Sequence, residues 1–155
     1  MHVIESQGGT KSLVVVRTLD KGDLAKIKRK EYFFDWKSAR KGADVYKLCL
    51  VDDDSIIGLV ALVNVPTDQR IEIKLLASSK ANVGSSKKYE GIAGCLLSFA
   101  CREAISLYGE LACISLLPKT ELKQHYVTKY GMLDGGRHLY CEGKELMDLI
   151  KKYPL

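Results

Sequence analysis

The sequence predicts an α/β sandwich with a hairpin-joined first half, and three observations lead there. Apolar runs of strand and helix character follow the order β-α-β-β-β-α-β-α-β, closed by a terminal helix. Between Arg70 and Leu107, a strand (Ile71, Ile73, Leu75, Leu76), a basic glycine-containing connector and a long apolar-periodic helix come in succession. A length of 155 residues suits one domain spanning residues 1–155 with a substantial core.

Residues 1–10 are polar and carry no pattern. Ser12 to Leu19 is β-branched and lies between Gly-Gly and Asp-Lys-Gly, which predicts a strand. Asp23 caps a predicted helix running to Trp36, with Leu24, Ile27, Tyr32, Phe33 and Trp36 as its apolar stripe. Its basic cluster (Lys26, Lys28, Arg29, Lys30) reads as a solvated face, and Phe33, Phe34 and Trp36 as core or lid residues. Tyr46–Val51 and Ile56–Val65 read as strands joined by the turn Asp52-Asp53-Asp54-Ser55. Those aspartates lack the further ligands of a metal site. Pro66 to Gln69 breaks the chain before the Arg70 strand. The long helix starts near Gly91 and ends at Gly109. Leu111–Leu117 is the next strand, Glu121–Tyr130 a short helix stopped at Gly131, and Arg137–Cys141 the last strand after the Gly135-Gly136 turn. Lys144–Tyr153 is a terminal helix with Leu146, Leu149 and Ile150 inward.

The apolar fraction of 46% and charged fraction of 28% are those of a soluble globular protein. A net charge of +5 suits an anionic ligand, nucleic acid or a merely soluble surface. No signal-peptide pattern is visible, and the Ile56–Val65 run is about half of the ~20 residues that span a bilayer. A cytoplasmic protein without membrane contact is expected. The five cysteines (Cys49, Cys95, Cys101, Cys113, Cys141) are scattered and form no C-x-x-C pair. They read as small buried hydrophobes in a reducing compartment. His2, His125 and His138 lack ligand spacing, so no metal is expected.

A strand, a basic glycine loop and a helix together form a layout for holding phosphate, because N–H groups at a helix start point at an anion. The loop has no Walker A Gly-Lys-Ser/Thr, and Gly91-Ile92-Ala93-Gly94 lacks the dinucleotide-binding spacing.

Two segments carry a resemblance. Lys88-Tyr89-Glu90-Gly91-Ile92-Ala93-Gly94-Cys95-Leu96-Leu97 is similar to the Q/R-x-x-G-x-G/A loop and following leucines of the GNAT superfamily of acetyl-CoA-dependent N-acyltransferases. Lys88 stands where Gln or Arg is usual. Downstream, Leu116 to Met132 resembles that superfamily's strand leading into a helix with F-Y-x-x-x-G-F. Aligned on Gly131, Tyr126 takes the Phe place and Val127 the Tyr place. A helix one residue longer returns Tyr126 to the tyrosine position. The K-T-x-L-x-x-H-Y run of Lys119 to Tyr126 resembles a bacterial subset built that way.

The resemblance implies a GNAT-type acyl-CoA N-acyltransferase fold, with a mixed central sheet flanked by helices. It implies acetyl-CoA as cosubstrate and direct transfer to a primary amine of a small molecule or peptide. Lys87, Lys88 and the backbone of Gly91, Ile92, Ala93 and Gly94 would hold the pyrophosphate. Leu76, Ala77, Ser78 and Tyr126 would contact the cosubstrate, the first three where family members open a gap between two parallel strands, with the oxyanion near Leu76-Ala77. Thr120 falls near the usual cofactor-contacting Asn. Tyr126 is the implied acid for the leaving thiolate, with Tyr130 as backup. Glu72 is the candidate base; a wet-rim pair with Lys74 is an equal reading. Cys95 lies within the helix and is not expected to be a nucleophile. A homodimer is compatible with this reading. Two rivals stand beside it: a catalytically silent acyl-CoA-binding module acting as sensor, and a nucleic-acid binder resting on Lys26 to Lys30. The second lacks any recognisable module, so no nucleic acid is expected.

Overall fold

The computed structural model describes residues 1–27, 31–32 and 35–155. The strands are β1 (His2–Glu5), β2 (Lys11–Thr18), β3 (Asp44–Leu50), β4 (Ile56–Val65), β5 (Arg70–Ser78), β6 (Tyr89–Glu90), β7 (Cys113–Leu116), β8 (Leu133–Asp134) and β9 (Leu139–Glu142). The helices are α1 (Lys21–Lys26), α2 (Trp36–Ala39), α3 (Ile92–Tyr108), α4 (Lys123–Tyr130) and α5 (Gly143–Lys152). All the described strands join one sheet, in the order β6-β1-β2-β3-β4-β5-β7-β9-β8. Among them only β5 and β7 run parallel, because α3 carries the chain between the two; the remaining neighbours are antiparallel.

Each face of the sheet has its own apolar layer. Val14, Leu48, Val60, Ile71, Ile73 and Ile114 pack with α3, α4 and α5. Leu59, Ala61, Ala77 and Leu75 pack with Trp36 and Ala39 of α2 and with Leu24 and Ile27. Covering on both sides explains why β4 reads as a continuous apolar run from Ile56 to Val63. By length and composition, Ile92–Leu111 is long and apolar enough to cross a membrane. It is a core helix here, with Cys95, Leu96, Leu97, Ala100, Cys101 and Ala104 wholly buried.

Two features of β5 position the site. Opposite β4, Ala61 pairs with Leu75 while Leu62 pairs with Ile73, so Lys74 is an extra residue in a bulge. Opposite β7, pairing runs from Arg70↔Cys113 to Ile73↔Leu116 and stops. From Lys74 to Ser78 the side of β5 that faced β7 has no strand partner among the described residues.

Several sequence expectations are corrected. Residues 1–10 are not patternless, because β1 pairs with β2 and buries Val3 completely. A four-residue strand is too short to show its period. The helix expected from Asp23 to Trp36 starts earlier and ends sooner. Asp20 is the cap: its carboxylate accepts the Asp23 N–H, and the Asp23 carboxylate accepts the Asp20 N–H, both at 2.9 Å. Ile27 is already extended. Asp23 is buried and ion-paired with Lys47 at 2.7 Å, so it anchors α1 to the sheet. Trp36 opens a separate helix, α2, whose start is capped by Asp35. Lys28, Arg29, Lys30, Phe33 and Phe34 lie outside the described residues, so the basic cluster apart from Lys26 and part of the aromatic group do too. The aspartate turn is confirmed: Asp53 accepts the Ser55 N–H, and Asp54 pairs with Arg17, both at 2.9 Å. The short strands β6 and β8 were not foreseen.

Candidate active site

Where β5 and β7 part, a cavity of about 580 Å³ runs from the strand gap to the start of α3. Its walls are Ile73 to Ser78 of β5, Leu116 at the end of β7 with Leu117 to Lys119 beyond it, the connector ahead of α3, and the inner side of α4. Leu76, Ala77 and Ser78 therefore lie along the gap.

The start of α3 is open. Gly91 is its N-cap with φ 94°, a left-handed conformation that favours glycine, and no side chain caps the helix. The first intrahelical bond runs from the Cys95 N–H to Gly91 O. The N–H groups ahead of it belong to the uncapped first turn that attracts anions. Gly91, Ile92 and Ala93 line the cavity.

The connector is held by a residue that sequence reasoning missed. Asn82 is buried; its Nδ2 donates to Ser79 Oγ at 2.7 Å, and its Oδ1 accepts the Tyr89 N–H at 3.0 Å. The Lys88 N–H donates to Ala81 O at 3.2 Å, and β6 pairs with β1. An asparagine in a polar loop looks like any turn residue, so no signal marked it beforehand. His125, Lys119 and Lys129 also line the cavity and were not predicted.

Three predicted cofactor residues lie elsewhere. Lys88 is not among the lining residues, and its Nζ lies over the Tyr89 ring at 5.4 Å. Gly94 faces α5: a Cβ there would overlap the Tyr153 ring, so this glycine serves helix packing. Thr120 begins a short 3-10 turn whose neighbours Lys119, Glu121 and Leu122 line the cavity while Thr120 does not. Lys87 does line it and lies 3.8 Å from Glu90. Lys87→Ala should therefore weaken binding of CoA several-fold at low salt, with the deficit shrinking as salt rises, whereas Lys88→Ala should change little. Calorimetry at two ionic strengths checks both, and equal losses for the two variants would contradict this placement.

Tyr126 and Tyr130 sit on the inner side of α4 with ring centroids 5.8 Å apart. His125 meets both edge-on, at 6.0 and 5.8 Å. Burial pushes the Tyr126 phenol above its ordinary value. It pushes Tyr130 up as well, with the nearby Tyr153 and Tyr126 adding to the effect. Both phenols are thus neutral donors at neutral pH.

Glu72 lies on the other face of the sheet, outside the cavity lining. Its Oε1 is 3.4 Å from His138 Nε2. Lys74 shares that face and lines the cavity, donating to Lys41 O at 3.3 Å. The rim pair between Glu72 and Lys74 is replaced by these two separate contacts. Cys95 is buried with its Sγ donating to His2 O at 3.4 Å, and burial pushes its thiol up to about 11. That holds it as a thiol and fits the non-nucleophile reading. Cys49, Cys101 and Cys141 are also buried and all five cysteines are free.

A mixed sheet, a parallel pair that splays at a bulge and an uncapped helix start at the mouth define a GNAT-type acyl-CoA N-acyltransferase fold. Solved structures agree on that fold. A chimera of spermidine N-acetyltransferase SpeG from Vibrio cholerae and hSSAT superposes with a TM-score of 0.67 at 16% identity, over 88% of this chain and 99% of the other. Mutant forms of the spermidine/spermine N-acetyltransferase SpeG from Vibrio cholerae give 0.61 at 17% identity, over 91% and 97%. A dodecameric spermidine N-acetyltransferase from the same organism gives 0.62 at 15% identity, over 83% and 93%. No family model and no curated protein matches the chain.

Proposed function

We propose that the protein is an acetyl-CoA-dependent N-acetyltransferase acting on a primary amine by direct transfer, with the whole chain as one catalytic domain in the cytoplasm. The observation that carries this is the gap beyond Ile73 and Leu116, continuous with the uncapped start of α3 and walled by Tyr126. The residues present fit the cosubstrate. The start of α3 and Lys87 suit a pyrophosphate, and the strand gap suits an extended, mostly apolar arm. When bound, acetyl-CoA supplies the activated acyl group.

The chain's own residues do the rest. Backbone groups of Leu76–Ala77, left without a β7 partner, stabilise charge on the acyl oxygen. Tyr126 donates its phenolic proton to the departing sulfur. Glu72, steadied by His138, accepts the amine proton through water, because it stands outside the cavity lining. The neighbours named above act on spermidine, and one is a dodecamer. For this chain the reading commits to a primary amine and to self-association with a homodimer as its smallest unit. Calorimetry with CoA, followed by acetyl transfer across amines, amino acids, aminoglycosides and peptides, tests it. Heat without any turnover would favour the silent acyl-CoA-binding alternative; no heat at all would end both.

A further inference from the structure

The gap between β5 and β7 has two sides, and they differ in charge and filling. On one side stand α3 and α4, with Ile92, Ala93 and Tyr126 against the cavity. That side is taken by the cofactor in the function proposed above, on which this inference rests. The acceptor amine must then enter from the face that carries α1 and α2. Lys74 guards that entrance. It is the bulge residue immediately beyond the last β5–β7 pair, it is exposed, and it lines the cavity. Its hydrogen bond to Lys41 O shows which face it points to, and a neutral carbonyl leaves its charge uncompensated.

Two carboxylates on this side are committed elsewhere: Asp23 pairs with Lys47, and Asp35 caps α2. Glu72 stands 3.4 Å from His138 Nε2. Glu31, whose carbonyl holds the Lys80 N–H, lies at the far end of the strand from Lys74. A polycation meets the Lys74 ammonium at the entrance. A molecule bearing a carboxylate close to its amine meets the opposite. Its anion can bond to Lys74, while its amine group approaches Glu72, on the same strand.

We propose that the acceptor is an amino acid, with Lys74 binding its carboxylate. In the transfer, the amine nitrogen forms the bond to the acyl carbon and the carbon–sulfur bond breaks. The ammonium first gives up one proton toward Glu72 and solvent; after attack the nitrogen loses its second proton to solvent, which reprotonates Tyr126 once its own proton has gone to the thiolate, so the products are an N-acetylamino acid, CoA and one proton.

Calorimetry of glutamate, glycine and spermidine, with and without CoA, is paired with steady-state turnover of the same three. The expected result is amino-acid binding and turnover ahead of spermidine. Lys74→Gln should weaken amino-acid binding about tenfold, leave CoA affinity in place, and narrow the gap to spermidine. Preference for spermidine, or unchanged amino-acid binding in Lys74→Gln, overturns the inference while acetyl transfer itself stands. Lysine-dependent glutamate binding with CoA heat but no turnover of any amine supports the subsite and overturns the acetyltransferase reading instead. Absence of heat with CoA and with glutamate overturns both.

Discussion

Tyr126→Phe is expected to lower kcat by about 10²–10⁴-fold while leaving CoA affinity nearly unchanged, since only an O–H is lost from a ring that stays packed. The ring is buried among His125 and Tyr130, so phenylalanine keeps the contacts that shape the cavity. A more acidic leaving thiol should shrink the deficit, because a better leaving group needs the proton less. The pH profile gives a second check. Burial raises the Tyr126 pKa above its ordinary 10, so the acid form persists through neutral pH, and its loss appears only on a strongly alkaline limb. Tyr130→Phe is the control, as that phenol lines the same cavity. A large loss in Tyr130→Phe with full activity in Tyr126→Phe would transfer the role one helical turn. Full activity in both would assign protonation to water.

Gly91→Val should abolish measurable CoA binding. At φ 94° a β-branched residue is strained by about 1–3 kcal/mol. Space is not the obstacle, because the nearest atom to a Cβ added at this position is in the Tyr153 ring at 3.7 Å. The chain is therefore expected to relieve the strain by rotating the N-cap, which turns the first N–H groups of α3 away from the anion. Calorimetry reads the loss of binding, and a thermal melt reads the strain as a lowered Tm. Wild-type affinity in a folded Gly91→Val protein would show that the start of α3 does not hold the pyrophosphate.

Sequence alone determined the elements whose signals are local. The Arg70 strand and the helix between Gly91 and Gly109 stand where they were expected, and both glycines that flank the helix adopt positive φ. Gly131 likewise stops α4 in a left-handed conformation. The loop motif and the helix around Tyr126 also pointed to the fold from the chain alone. What depended on distant partners was not legible. The β1 strand exists because β2 and β6 pair with it, and the start of α1 depends on a reciprocal Asp20–Asp23 cap anchored by Lys47. Asn82 has its role only through a loop closed back onto Tyr89. Likewise, three residues assigned by motif position, Lys88, Gly94 and Thr120, are not among those that line the cavity. Gly94 fits under Tyr153, from the far end of the chain, and Lys88 lies over Tyr89. The decisive feature is the bulge that adds Lys74 to β5 and the end of pairing at Ile73, which open the gap and aim a cation at its entrance. Strand register is set by both neighbours of a strand at once, so no period within β5 itself could reveal it.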